Sequence, residues 1–449
     1  MEPFRYHVFV CTQAKAEGVQ CCSAAGSTQL LDRFGQELSA QGLADDVQVT
    51  TCGCLGTCDH GPVVVVYPEG AWYSGVKPED VSDIVASHFA SGKVLTRLVR
   101  ADAEAMKAEI LDHRKQYLAM LRARDEAGVL PDDVDGIIRG YWPSRAVLTA
   151  LELDLFSAVA EGASAAQVAA KSATDERATE MLLNALVSLG LLCKQDQVFC
   201  NTPVSKRFFT SGSPDNAQRG LLHMANLWRR WSTLTECLRV GTTVTTKKNG
   251  ESVKAFIAAM DRNARERVPL VVKAIGAENI SRVLDLGGGS GAYSIAFAKA
   301  NPNLTVEIVD LPEVTPIAEQ HIEKAGLSHR VKVRAGDMLT SDLGRNFDLV
   351  LISAICHMFS PEENRKLFKR AHAALAPHGR LVVQDFILEP DKTSPHFAAL
   401  FSLNMLVGTK AGASYSEPEY GEWLRTAGFG EVCRIRLPGP TGLMLATRD

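Results

Sequence analysis

Residues 283–298 read VLDLGGGSGAYSIAFA. An apolar strand carrying one carboxylate runs into Gly287, Gly289 and Gly291, and a helix follows. Glycines between a strand and a helix permit positive φ and let backbone amides approach a ligand closely. Downstream the alternation repeats: "LTVEIVD", "VKVRAGD", "FDLVLISAI" and "GRLVVQDFIL" are apolar strands separated by helical stretches. Strands alternating with helices build a doubly wound, Rossmann-like α/β sheet. A helix over 420–427 and two antiparallel strands, "EVCRIRL" and "TGLMLATR", close the pattern.

The glycine signature alone is ambiguous, because Gly287, Gly289 and Ala292 also satisfy a dinucleotide fingerprint with Asp310 at ribose distance. Two acids tip the reading toward S-adenosylmethionine. Asp285 sits inside the first strand, placed to meet a cationic amino group. Asp337 in "AGDM" follows the third strand, placed to accept a hydrogen bond from an adenine amine.

At 449 residues the chain is long enough for two or three domains. Its 46% hydrophobic and 22% charged residues are those of a soluble globular protein, and no apolar run approaches the ~20 residues of a membrane span. The start, MEPFRYHVFV, has neither the basic opening nor the long apolar stretch of a signal peptide, so a cytoplasmic protein is expected. Net charge is −4, unevenly spread: residues 1–95 hold five Lys and Arg against eleven Asp and Glu, which is −6 and leaves about +2 elsewhere. An acidic N-terminal part suits a basic protein partner and argues against nucleic acid, which needs clustered Lys and Arg.

Six of the eleven cysteines lie within the first 58 residues and mark a separate small α/β domain over 1–95. Its elements read as strands at 6–10, 47–51, 62–67 and 71–75 and helices at 28–41 and 78–89. A charged amphipathic helix over 97–124, striped by Met106, Ile110, Tyr117 and Leu121, reads as a linker. Helices over 140–210 followed by the hairpin "CKQDQVFCN" suggest a winged-helix arrangement without a basic recognition face, hence packing or dimerisation. The expected domains are 1–95, 96–255 and 256–449.

From about residue 130 onward the chain resembles the class I O-methyltransferases of the plant caffeate and bacterial small-molecule type. The matching stretches are "LELDLFSAVA", "LLNALVSLGLL", "VLDLGGGSG", "VEIVDLPEV", "AGDML" and "AICHMFS". The resemblance implies a helical dimerisation domain, a homodimer and a small-molecule methyl acceptor. It also implies that Gly287, Gly289 and Gly291 line the sulfonium donor, that Asp310 holds its ribose with Leu311 alongside, and that Asp337 and Met338 frame its adenine. His357 follows an apolar strand at its carboxyl end, and a lone histidine there is usually structural. In the resembling family the His of the "ICH" segment is the general base, Asp385 of "VVQDFIL" occupies the position of the acid that orients it, and Asn404 aligns with a pocket-lining segment. A second family acid is replaced by Ser414, with Glu417 and Glu419 following as substitutes by a slipped alignment. Cys356 is expected in the core.

The N-terminal cysteines fit other templates poorly. Cys54 and Cys58 match a zinc pair loosely, plant-type ferredoxin spacing is missing, and no Cys-x-x-Cys occurs. Residues 1–95 are similar to the thioredoxin-like 2Fe–2S ferredoxins over "VFVCTQ", "CCSAAGS", "GCLGTCDHGPVVVVYPEGAWYSGVKPEDV" and "IVASH". That resemblance implies a 2Fe–2S cluster on Cys11, Cys22, Cys54 and Cys58, leaving Cys21 and Cys52 as spare thiols. Three functions follow as expectations: an O-methyltransferase with a redox-sensing or partner-docking domain, an S-methyltransferase for sulfide or small thiols, and an iron–sulfur electron-transfer or regulatory protein with a relic nucleoside site. A thiol with pKa near ~8.5 needs less help from a base than a phenol near ~10.

Overall fold

The computed structural model describes residues 3–15, 19–245 and 250–449, and divides into two compact units, Met1–Gly140 and Tyr141–Asp449. The first holds a four-stranded sheet of β1 (Tyr6–Cys11), β2 (Val47–Cys52), β3 (Val64–Tyr67) and β4 (Ala71–Tyr73) in the order β2-β1-β3-β4. Tyr6, Val8 and Val10 alternate inward, as one buried face requires. Leu30, Phe34 and Leu38 of α1 (Ser27–Ala40) recur at helical spacing and fill the same core. α2 (Asp80–Ile84) continues as a π-helical turn over Val85–Ala90. β1 runs parallel to β2 with Cys11 opposite Cys52.

The charged helix expected as a linker belongs to this unit. It begins at Ala103 rather than 97, because the Asp102 carboxylate caps it by accepting from the Ala105 N–H at 2.9 Å. This α3 (Ala103–Glu126), followed by α4 (Asp132–Arg139), lays Ile110 over the cysteine loop: a Cβ on Gly56 would sit 3.0 Å from the Ile110 side chain. Of the expected stripe, Met106 is buried but Tyr117 and Leu121 are exposed.

The second unit opens with α5 (Tyr141–Glu152), α6 (Leu155–Val159), α7 (Ala165–Ser172) and α8 (Glu176–Ser188) around one apolar cluster. The hairpin β5 (Leu192–Gln195) and β6 (Val198–Asn201) forms as read, turning through Asp196 and Gln197, both at positive φ. Then come α9 (Pro203–Phe209), α10 (Gln218–Trp231), α11 (Leu234–Val240) and α12 (Gly250–Ile275).

The large sheet comprises β7 (Arg282–Leu286), β8 (Thr305–Asp310), β9 (Val331–Ala335), β10 (Phe347–Ser353), β11 (Leu375–Asp385), β12 (Phe429–Arg436) and β13 (Gly442–Arg448), in the order β12-β13-β11-β10-β7-β8-β9. Only β13 runs antiparallel to its neighbours. Alternate residues sort into two cores. Leu284, Leu286, Val350, Ile352, Leu381 and Val383 face α15 (Pro361–Ala374) and α17 (Glu417–Thr426). Val283, Leu349, Leu351 and Val382 face α12, α13 (Ala292–Ala300) and α14 (Thr315–Lys324). α17 starts at Glu417, earlier than the expected 420, because Ser416 and Glu419 form a capping box. α16 (His396–Gly408) precedes it. Among the described residues no helix is long and apolar enough to cross a membrane.

Phe368 on α15 is fully buried between sheet and helix. Phe368→Ala should destabilise the second unit by about 3–5 kcal/mol, read as a lower urea midpoint in tryptophan fluorescence; an unchanged midpoint would remove it from the supporting core.

Candidate functional sites

The strand order reverses between β7 and β10, and at such a switch point the carboxyl ends of the strands leave a crevice. Gly287 ends β7 at φ +73°, and a Cβ on it would strike Ile355 Cδ1 at 2.6 Å and approach Met338 Cε at 3.1 Å. No other residue type fits that position. The Gly289 N–H donates to Asp310 Oδ2 at 2.8 Å, and the Leu311 N–H to Asp310 Oδ1 at 2.7 Å. Asp310 is thereby fixed at the end of β8 with one lone pair of each oxygen still open, and burial raises its pKa. Leu311 and Asp337 are exposed, Met338 is buried, and Asp337 Oδ1 accepts from the Leu339 N–H at 2.8 Å.

Asp285 points to the α13 face of the sheet and is 1% exposed. Its Oδ2 accepts from the Ser294 hydroxyl at 2.6 Å, while Oδ1 has no partner. Burial pushes this carboxyl up to about 7. A buried carboxylate with one orphaned oxygen is suited to a cationic ligand, and the amino group of S-adenosylmethionine meets that requirement.

On the other side of the switch, His357 lies in a short turn after β10 and is 7% exposed. Its Nδ1 bonds Asp385 Oδ1 at 2.6 Å, and its backbone N–H reaches Asp385 Oδ2 at 3.1 Å. The Phe386 N–H and the Tyr420 hydroxyl also donate to Asp385, at 2.8 Å and 3.2 Å. Burial and the neighbouring Asp385 raise the Tyr420 pKa well above its ordinary value, so Tyr420 stays a donor. With Nδ1–H given to the carboxylate, the imidazole keeps the Nε2 lone pair free. Phe401 stands edge-on to the His357 ring at 4.9 Å, and Phe386 lies 5.9 Å from it. Asn404, one turn beyond Phe401, has its Oδ1 taken by the Trp231 indole at 2.9 Å.

The substitutes considered near Ser414 are engaged elsewhere: Glu417 pairs with Arg434 at 3.2 Å, and Glu419 caps α17 and pairs with Lys392. Ser414 is buried with an unpartnered hydroxyl. Cys356 is fully buried in the core, as expected. Sequence alone did not reveal Ser294 or Tyr420. The first is ordinary helix sequence, and the second lies 35 residues from the carboxylate it serves.

In the first unit, Cys11, Cys22 and Cys58 are buried and Cys54 is exposed, and all eleven cysteines of the chain are free. Cys54 Sγ lies 3.3 Å from Cys58 Sγ, and Cys22 neighbours Cys11. The neighbouring Cys22, with the Gln13 and Leu55 amides and Lys15, holds the Cys11 thiol down at about 6. Lys15 Nζ donates to Cys58 Sγ at 3.1 Å. A Cβ on Gly61 would sit 2.8 Å from Cys22 Sγ. Thiols in two pairs, met by amides and an ammonium, fit a cluster with two thiolates per iron. Cys21 Sγ instead accepts from the Ala24 N–H, and burial pushes Cys52 up to about 11.

Comparison with known proteins matches the chain to three family models: a thioredoxin-like [2Fe-2S] ferredoxin over residues 2–88, an O-methyltransferase dimerisation domain over 136–211 and an O-methyltransferase domain over 238–430. The 3-hydroxy-5-methyl-1-naphthoate 3-O-methyltransferase of Streptomyces sahachiroi is 31% identical, over 71% of this chain and 95% of that protein. The chain belongs to the O-methyltransferase family. An O-methyltransferase family protein from Burkholderia thailandensis aligns with a TM-score of 0.66 at 29% identity, covering 72% of this chain and 99% of that one. Human N-acetylserotonin methyltransferase in complex with SAM aligns at 0.63 and 25% identity, covering 70% and 96%. The protein is an S-adenosylmethionine-dependent methyltransferase with a thioredoxin-like 2Fe–2S domain at its N-terminus.

Asp285 gives the methyltransferase a pH signature. Its folded pKa stands above the unfolded value of 3.8, so the stability this group contributes is present below about 4 and lost as pH rises through about 7. Between pH 5.5 and 8 the donor-free enzyme should lose melting temperature that Asp285→Asn does not lose. The same variant should bind S-adenosylhomocysteine roughly tenfold or more weakly by calorimetry. Parallel melting profiles for the two proteins would show that Asp285 does not titrate there.

Proposed function

We propose that the methyltransferase moves a methyl group from S-adenosylmethionine to a hydroxyl of a small aromatic acceptor, with His357 as general base. The observation that carries this reading is the buried chain Tyr420–Asp385–His357 at the carboxyl ends of β10 and β11. The donor supplies an electrophilic methyl group on a sulfonium. Gly287, Gly289 and Gly291 would line it, the open lone pairs of Asp310 would take the ribose hydroxyls with Leu311 beside them, and Asp337 and Met338 would frame the adenine. Asp285 would take the amino group. His357 Nε2 removes the acceptor proton as the oxygen becomes nucleophilic, and Asp385 orients the ring and balances the imidazolium charge. The rings of Phe386 and Phe401 offer an aromatic wall, and Asn404 would contribute its amide N–H groups. The naphthoate named for the Streptomyces relative is consistent with such an acceptor. Sulfide or a small thiol ionises with far less assistance, so a fully built base favours oxygen.

Cys11, Cys22, Cys54 and Cys58 would hold the cluster. The cluster supplies one-electron redox chemistry, which methyl transfer from a sulfonium does not use. We therefore assign the N-terminal unit a redox-sensing or partner-docking role in a cytoplasmic homodimer.

His357→Ala should lower kcat by about 10²–10⁴-fold on a hydroxylated arene while leaving S-adenosylhomocysteine affinity within roughly threefold. Undiminished turnover would take the base role away from His357. Cys58→Ser in anaerobically purified protein should lose visible absorption and iron. Colour retained with full iron and sulfide would reject Cys58 as a ligand.

A further inference from the structure

Arg267 lies on the inward stripe of α12. Ala264, Val268, Val271 and Ile275, its helical neighbours on that side, belong to or pack on the sheet core. The Arg267 side chain is half-buried, so part of the guanidinium's hydration is lost. Yet among the described residues no carboxylate comes within ion-pair distance of Arg267, and no hydrogen bond satisfies it. Its guanidinium stands over the Phe386 ring, with Cζ 5.3 Å from the centroid, and burial holds its pKa below the ordinary value. Phe386 is the same ring that packs against His357 and Phe401. Arg267 also lies within the electrostatic reach of Tyr293 and Asp385.

A second donor nearby is equally unmatched. Gln384, 1% exposed, immediately precedes Asp385. Its Oε1 accepts from the Ser353 hydroxyl at 2.6 Å and from the Tyr293 hydroxyl at 3.5 Å. Those two bonds fix the amide's orientation, and its Nε2 is left without an acceptor. Around Phe386 and Tyr293 there are thus a half-buried cation and a buried N–H donor, with Asp385 already saturated by its own four donors. What is missing there is an anion.

We infer that Arg267 and the Gln384 amide form a carboxylate subsite for the acceptor, so that the enzyme methylates a hydroxylated aromatic acid rather than a neutral arene. The subsite borders the ring that walls His357. A carboxylate held by Arg267 therefore anchors one end of the acceptor while His357 addresses a hydroxyl at another. This rests on the acceptor reading given above for the same site. The other carboxylate that could reach these donors is the α-carboxylate of the donor itself. The contact of Arg267 with Phe386, the ring that also packs against His357 on the acceptor side, favours the acceptor.

The test uses the full-length, cluster-containing chain saturated with S-adenosylhomocysteine, titrated calorimetrically with a hydroxynaphthoate and with the matching hydroxynaphthamide. The wild type should bind the acid more tightly than the amide. Arg267→Gln should weaken the acid by roughly 10–100-fold and the amide far less, with Arg267→Lys in between. Equal weakening of both ligands would overturn the subsite in favour of a packing role. Loss of S-adenosylhomocysteine affinity with no difference between acid and amide would overturn it in favour of the donor's carboxylate. Turnover of the two compounds is scored separately. An acid preference that depends on Arg267, without methyl transfer at the hydroxyl, would keep the subsite and reject hydroxyl methylation.

Discussion

Parallel pairing of β10 with β11 is the constraint on which the chemistry depends. It sets Ser353 opposite Gln384, so both strands reach the crevice together and release their next residues side by side. Asp385, the last residue of β11, therefore meets the turn that carries His357, although the two are 28 residues apart. A one-residue slip would turn Asp385 to the opposite face of the sheet and leave a buried carboxylate without its donors. The apolar alternation of Leu349, Val350, Leu351 and Ile352 against two different cores forbids that slip. Packing on both faces thus enforces a geometry that the polar residues could not enforce for themselves.

The same logic accounts for what the sequence could disclose. The glycine loop, Asp285, Asp310 and His357 are legible because each sits at a fixed offset from a strand end, and strand ends are visible as apolar runs. The clustering of six cysteines marks the N-terminal unit, whereas the choice of four of them as ligands rests on the family resemblance and leaves no spacing rule of its own. Tyr420, Ser294 and Arg267 are not legible, because their roles come from tertiary contacts that leave no local pattern. Tyr420 is one aromatic residue among several in α17, and Arg267 reads as a solvent-facing charge until α12 is seen packed against the sheet. The misplaced expectations have local physical causes. Glu417 and Glu419 carry the right charge, but the capping box and Arg434 engage them.

Three buried polar groups at this crevice are left unmatched: Asp285 Oδ1, Gln384 Nε2 and the Ser414 hydroxyl. Each lowers stability in the absence of a partner. Binding energy from a ligand that satisfies them is partly the recovery of that loss, so occupied and vacant forms should differ in stability more than contact area alone suggests.

The unequal exposure of the four cysteines has its own consequence. Three of them are sealed beneath the sheet edge and the loop, and Cys54 alone faces solvent. A cluster held by these four thiolates would be shielded by Cys11, Cys22 and Cys58 and would meet solvent at Cys54. A redox partner would find its shortest approach at that edge. The unit would have a front and a back for redox traffic, with Lys15 placed beside the front to offset the charge that reduction adds.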